Sequence, residues 1–368
     1  MKYYIIAGEA SGDLHASNLM IALKSTDDQA QFYCWGGDKM QAAGGRLVEH
    51  YRNTAFMGFI EVVKNLKKIF RYIRTCKQSI LETKPDVLIL VDYPGFNLRI
   101  AEWAKSQHIK TVYYITPQVW AWHQSRVHNL GKWTDLLLVI LPFEQAFFEK
   151  FGYKAHYTGH PLTDAIHKYV PDVTFIEKYS NSQIIALLPG SRKQEIQSIL
   201  PVMLEAVSSS DLQILLAGAP SIPDSMYQEI INNMNMNDRC ILVRDKTYDI
   251  LSVARFALVG SGTATLETAL FRVPQIVCYK ASTISYHIAK RLIKIPYISL
   301  VNLISGKEVV RELIQNDLNT ENIRFEIGQL YKNEQKIQQD YDDLKVKLGN
   351  AGASAKAAYL INQLVHNS

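Results

Sequence analysis

Cysteine is scarce in this chain, with four in 368 residues at Cys34, Cys76, Cys240 and Cys278. They are far apart and form neither a CxxC pair nor a Cys/His set at zinc-ligand spacing. That excludes a disulfide framework and a zinc module, and leaves reduced, buried thiols as the expectation. Long apolar runs are also missing: none approaches the roughly 20 residues a membrane-spanning helix needs, so no integral membrane segment is expected. The opening stretch KYYIIAGEA has no basic n-region and no cleavage site, which predicts a cytoplasmic protein without a secretory signal. Neither sign of charge dominates. The 40 Lys and Arg against 35 Asp and Glu give +5, too little to argue for nucleic acid but compatible with an anionic surface or substrate. No internal repeat or low-complexity linker is present.

What is there is an ordinary globular composition, 48% hydrophobic and 20% charged, long enough for two separate cores. Short β-branched runs alternate with helical patterns, the signature of a parallel α/β architecture. The first series of strands is predicted at Tyr3 to Ala7, Gln31 to Trp35, Val87 to Val91, Thr111 to Ile115 and Leu136 to Leu141. A second follows at Ile184 to Leu188, Gln213 to Ala217, Cys240 to Val243, Phe256 to Val259 and Gln275 to Tyr279. Two such sets predict two Rossmann-like domains facing a cleft, over residues 1–160 and 161–345, with the boundary in YTGHPLTDAI. Residues 346–368 are expected to form a small-residue helix packing on a first domain, that of its own chain or of a partner in a homodimer.

The turn GEASGD, residues 8–13, joins the first strand to the first helix. Such turns usually cradle phosphate on backbone N–H groups, but Glu9 and Asp13 would repel it, and the glycines do not fit GxGxxG. The small residues, Ser11 among them, leave the backbone open to a hydroxyl-rich ligand. The second half holds the better phosphate site. ALVGSGTATLE, residues 257–267, runs from a strand through a Gly-Ser-Gly-Thr turn into a helix. It offers the N–H groups of Gly262, Thr263 and Ala264 and the hydroxyls of Ser261 and Thr263 at a positive helix end, with Glu267 placed to accept from ribose hydroxyls. The alternative is a glycine-kinked turn that only packs helix on sheet. In LLPGSRKQEI, Gly190, Ser191 and Arg192 leave another strand, and the Arg192 guanidinium suits phosphate; its alternative is a surface ion pair with Glu195.

In VLILVDYPGFNLRI, Asp92 follows five apolar residues at a strand exit, a good position for a general base; an N-cap or Asx turn is its bland reading. TPQVWAWHQSR carries Trp120 and Trp122, which could stack on a sugar or an acyl chain or simply pack, and His123, more often a satisfied loop histidine than an acid or base. The ten histidines form no metal pattern, and the DxD match at Asp340 and Asp342 lies in a charged helical stretch and reads as a solvated face, so no metal is expected. In FMGFIEVVKNLKKIFRYIR, Phe56, Phe59, Ile60, Val63, Leu66, Phe70 and Ile73 share one arc beside Lys64, Lys67, Lys68, Arg71 and Arg74, with Met57 adjacent. That pattern is either a core-facing helix or one lying in a headgroup layer, in contact with a membrane or acyl chain.

Taken in order, GEASGD, MGFIEV, KPDVLILVDYPGFN, TPQVWAW, LPFE, GHPL, LLPGSR, SGTATLE and AKRLIKIPYISLVNLISGKEVVRELIQ resemble the lipid-A-disaccharide synthases as far as about residue 315. The resemblance implies a metal-independent, inverting glycosyltransferase of GT-B fold, peripheral to the inner membrane of a Gram-negative bacterium, with no cofactor. It implies transfer of 2,3-diacylglucosamine from UDP-2,3-diacylglucosamine to the 6-hydroxyl of 2,3-diacylglucosamine 1-phosphate. It places Glu9 and Asp92 on the acceptor and reaction side, and Arg192, the SGT turn, Glu267 and Asn302 on the UDP. One departure stands out: relatives commonly read P-D-F-N where this chain has Pro94, Gly95, Phe96 and Asn97, which removes one rival and moves the role of base further onto Asp92, with Glu9 the other candidate. The rival readings are a UDP-sugar epimerase, a peptidoglycan-type N-acetylglucosaminyltransferase, or a nucleotide-sugar or lipid-binding protein without turnover.

Overall fold

A computed structural model describes residues 1–54, 66–122, 124–281 and 295–366. The chain divides into two compact units, Met1–Asp164 with Asn350–Ser368, and Ala165–Gly349. Both are parallel sheets flanked by helices.

The first unit's strands are β1 (Lys2–Ala7), β2 (Gln31–Gly36), β3 (Arg46–His50), β4 (Val87–Val91), β5 (Thr111–Tyr114), β6 (Leu136–Val139) and β7 (Ala155–Tyr157), in the order β3-β2-β1-β4-β5-β6-β7. The second unit has β8 (Ile184–Leu188), β9 (Gln213–Gly218), β10 (Cys240–Arg244), β11 (Ala254–Gly260), β12 (Gln275–Tyr279) and β13 (Arg311–Ile314), ordered β10-β9-β8-β11-β12-β13. Each sheet therefore reverses direction of winding once, between β1 and β4 in one unit and between β8 and β11 in the other. Open parallel sheets bind ligands beyond the carboxyl ends of the strands at this reversal.

The central strands follow from their composition. All five residues of β4 and of β8 are buried, because helices cover both faces and leave no position for a polar residue. Three strands are absent from the sequence prediction: β3, β7 and β13. Each closes a sheet edge, is three to five residues long and is partly exposed, so each lacks the apolar run that marks a central strand. The strand predicted to run to Ile115 stops at Tyr114, where Ile115 turns left-handed at φ +61°.

The charged segment 332–348 is the second half of one helix, Thr320–Leu348, opened by the Asn319 side chain accepting from Asn322 N at 2.9 Å. Asp340 and Asp342 are not a solvated pair. Asp340 is buried and pairs with Lys307 at 2.6 Å, and Asp342 pairs with Arg272. The final helix, Ala353–His366, returns to the first unit of its own chain. Ala357, Ala358 and Ile361 pack with Ala16, Leu19 and Leu23 of the helix Ala10–Lys24, and Asp164 accepts from Ala353 N at 3.1 Å and Ser354 N at 3.0 Å. All four cysteines are buried and unpaired.

Candidate active site

In the second unit, the loops that follow β8 and β11 line one cavity of about 380 Å³. Gly190, Ser191, Arg192, Ser261, Gly262, Thr263, Ala264 and Glu267, predicted separately from two motifs, all border it. Gly190 adopts φ +115° and Gly262 φ +146°, conformations that favour glycine. A Cβ at Gly260 would stand 3.1 Å from the Pro189 backbone, so the absence of a side chain lets the two loops approach. Thr263 opens the helix Thr263–Leu270, which has no side-chain cap, and first-turn N–H groups without intrahelical acceptors suit an anion. Arg192 is 75% exposed and pairs with Glu195 at 3.0 Å, so the ion pair weighed as its alternative does form, at the rim of the same cavity. The pair leaves other guanidinium N–H groups for an anion. Glu267 accepts from Tyr248 Oη at 2.9 Å, and burial raises its carboxyl above the ordinary range.

In the first unit, the loops after β1 and β4 meet at the corresponding reversal. Asp92 and Tyr93 are consecutive non-glycine residues in the left-handed region, at φ +45° and +49°. Such a conformation costs energy and persists only where its surroundings enforce it. Here Tyr113 Oη and Asn97 Nδ2 both donate to the Asp92 carbonyl, at 2.7 and 2.8 Å. The helix Pro94–Ser106 has no side-chain cap, so Asp92 is not held there as an N-cap. Burial first, and the negative charge of Glu9 second, push its carboxyl up to about 6, against the pull of the Tyr93 backbone N–H.

A family model described as lipid-A-disaccharide synthetase matches residues 3–364. The chain belongs to that family. A lipid-A-disaccharide synthase of Trichlorobacter lovleyi is 35% identical, with 100% of this chain and 98% of the relative covered. One from Syntrophus aciditrophicus is 38% identical, over 99% of this chain and 98% of the relative. Among solved structures, a Staphylococcus aureus MnaA–UDP complex superimposes with a TM-score of 0.70 at 14% identity, covering 99% of this chain and 97% of that one. CalG4, a calicheamicin glycosyltransferase, does so with a TM-score of 0.61 at 14% identity, covering 99% and 98%. The fold is the GT-B fold, and this member of the lipid-A-disaccharide synthetase family is a glycosyltransferase.

Several residues the sequence assigned to ligand contact serve the fold of this family member instead. Asn302 is fully buried. Its Nδ2 donates to Val310 O at 2.8 Å and Glu312 Oε1 at 2.9 Å, and its Oδ1 accepts from Val309 N at 2.7 Å and Val310 N at 3.0 Å. Both donors and both acceptor sites are used, which corrects the expectation that Asn302 touches UDP. Glu312 also accepts from Ile298 N and Ser299 N, and Ser261 Oγ reaches Ile298 O at 3.4 Å, so Asn302 acts on the cavity through the chain it clamps. Trp120 is only 8% exposed, and its Nε1 donates to Glu144 at 3.0 Å, which corrects its assignment to sugar or acyl contact. Glu144, unassigned from the sequence although LPFE contains it, also accepts from Ile140 and Leu141 N–H, and burial pushes its carboxyl up to about 7. Trp122 remains 46% exposed, with the Arg126 guanidinium 5.6 Å from its ring centre.

The GEASGD turn divides in the same way. Asp13 is buried and accepts from the N–H groups of Gly37, Lys39 and Met40 at 2.8 to 3.1 Å, so it holds the next helix rather than facing a ligand. What approaches Gly8 is Tyr93: a Cβ there would sit 2.3 Å from the Tyr93 ring, while Glu9 and Ser11 stay exposed. Gly8→Ala therefore displaces Tyr93, beside Asp92. It is expected to destabilise the first unit by about 1–3 kcal/mol, read by urea denaturation, with Tyr93→Ala in the same chain recovering part of the loss because the clash is then gone.

Phe56, Met57, Phe59, Ile60, Val63 and Lys64 lie outside the described residues, as do the side chains of Leu66 and Lys67, and His123. Within the described helix Leu66–Thr83 the predicted arc divides: Ile73 joins the core with Cys76 and Ile80, whereas Phe70 is 60% exposed beside the exposed Arg71 and Arg74. Lys68 Nζ lies 5.9 Å from the centre of the Tyr72 ring. Gly95 is exposed, and a Cβ there would meet nothing within 4 Å, so a carboxylate side chain would fit at this place. Among the described residues no helix is long and apolar enough to cross a membrane, and no group of three His, Cys, Asp or Glu could hold a metal ion.

Proposed function

We propose that the chain transfers 2,3-diacylglucosamine from UDP-2,3-diacylglucosamine to the 6-hydroxyl of 2,3-diacylglucosamine 1-phosphate, with inversion at C1 and release of UDP. The observation that carries this reading is the convergence of the Gly190–Arg192 and Ser261–Ala264 turns on one cavity at the reversal of the second sheet. Backbone N–H groups at a helix start, two hydroxyls and a guanidinium suit a pyrophosphate, and the Glu267 carboxylate suits ribose hydroxyls.

In this reaction Asp92 accepts the proton of the acceptor hydroxyl as its oxygen attacks C1, and the bond from C1 to the UDP oxygen breaks. A carboxylate pushed up to about 6 is ionised at neutral pH yet basic enough to share that proton. Glu9 orients the sugar. The N–H groups of the Thr263 helix start and Arg192 meet the charge that grows on UDP, which leaves no task for a metal. Turnover is accordingly expected to be unchanged when EDTA is added, measured as UDP release, and a loss restored by Mg²⁺ would overturn that part of the scheme.

The exposed Phe70, Arg71 and Arg74 support peripheral contact of the first unit with an anionic phospholipid surface, the inner face of the inner membrane. Mass spectrometry of a single turnover in detergent tests the reaction itself. Disaccharide 1-phosphate and UDP are expected from the two diacylated substrates. No product despite UDP binding would transfer the assignment to another sugar or to a binding role.

A further inference from the structure

A carboxylate drawn out of water needs donors for its oxygens. For Glu267 the described residues supply one, the Tyr248 hydroxyl at 2.9 Å from Oε1. Burial raises the Glu267 carboxyl, and the Tyr248 bond opposes that rise by favouring the charged form. The tyrosine is itself fixed. Its ring meets Tyr169 edge-on at 5.5 Å between centroids and lies tilted against Phe271 at 5.0 Å, so the position of its hydroxyl is set by packing.

Glu267 also borders a second cavity, of about 370 Å³, and shares that border with Gly218, Pro220 and Thr247 of the first. Tyr248 lines only the second. Three of the other polar groups there are engaged within the fold, Tyr169 Oη donating to Asp249 at 2.5 Å and Lys246 pairing with Asp172. Glu267 stands at the junction, one oxygen committed to Tyr248 and the other available to a hydroxyl. A nucleotide whose phosphates occupy the first cavity brings its ribose to such a junction.

We propose that Tyr248 is a positioning residue for the nucleoside half of the nucleotide: its hydroxyl fixes one oxygen of Glu267 so that the other meets the ribose, which makes the site prefer a ribonucleotide to its deoxy form. This rests on the reading of the first cavity as the UDP site.

Calorimetric titration of wild type and Tyr248→Phe with UDP, 2′-deoxy-UDP and inorganic pyrophosphate tests it, because phenylalanine keeps the ring packing and removes only the O–H. The variant is expected to bind UDP about tenfold more weakly, the effect of one hydrogen bond to a charged group. It is expected to lose less for 2′-deoxy-UDP and nothing for pyrophosphate, with the thermal midpoint lowered by only a few degrees, the effect of one donor lost to the Glu267 carboxylate. Glu267→Gln is expected to lose the ribose preference as well, and the double variant to lose little more than the worse single one, since both remove one interaction. Equal losses for all three ligands, or undiminished UDP binding, would overturn the positioning role. Failure of wild type to bind both UDP and pyrophosphate would instead remove the nucleotide reading on which it depends.

Discussion

Asp92→Asn is expected to lower the single-turnover rate by about 10² to 10⁴, the range for a lost general base, with binding of both substrates little changed. Asparagine is nearly the same size and keeps the backbone, so the Tyr113 and Asn97 bonds to the residue 92 carbonyl, which hold its left-handed conformation, persist. The pH profile gives a second readout. The active form is the carboxylate, and burial with the Glu9 charge raises its pKa to about 6. The wild-type rate should therefore be level above that value and fall by about tenfold per pH unit below it, because only the ionised fraction can accept the proton. The residual activity of Asp92→Asn should lack this acid limb. A variant as fast as wild type, with the limb intact, would assign the base to another group. Glu9→Gln should lower the midpoint of the wild-type limb, since it removes a negative charge that raises the Asp92 pKa.

Asn302→Leu is expected to be the most destabilising single change in the second unit's site region. Leucine fills a similar volume but leaves the N–H groups of Val309 and Val310, the Val310 carbonyl and one Glu312 oxygen short of a partner in a buried place. At about 1–3 kcal/mol for each group left unsatisfied, with partial relaxation, the loss should be on the order of 4 kcal/mol. For a unit of this size that lowers the thermal midpoint by roughly 10 °C. Thermal denaturation followed by circular dichroism reads it, and UDP titration below the transition separates a clamp from a ligand contact. A clamp loses stability first and affinity only through the Ile298 carbonyl and Ser261 beside it; unchanged stability with abolished UDP binding would return Asn302 to the nucleotide.

These two residues also mark how far the sequence could be read. The place of Asp92 was legible because it ends a run of five apolar residues where a strand stops, and a carboxylate there answers to few packing needs; its role as base is what the variant tests. Asn302 was not legible, because an asparagine that touches ligand and one that ties two loops together look alike as letters. Trp120 failed in the same way: an aromatic in a loop can stack on a sugar or donate to a buried Glu144, and only the partner decides. The edge strands β3, β7 and β13 escaped because each is short and partly exposed and carries no continuous apolar run, whereas β10, also at an edge, keeps Ile241, Leu242 and Val243 in a row.

The sequence by itself determined the parallel α/β class, the central strands, the glycine turns at their ends and the family, because each rests on local pattern: apolar runs buried from both sides, and glycine where φ is positive. Only the tertiary structure decided which polar residues line a cavity and which are turned into the fold. It brought Arg192 and Thr263 to one cavity across 71 positions of chain, placed Tyr248 on Glu267, and turned Asp13, Asn302 and Glu144 inward to backbone N–H groups. The physical reason is that the partner of a polar group is set by what the sheet order carries beside it, and that order joins β8 to β11 and β1 to β4 over intervals that no local pattern spans.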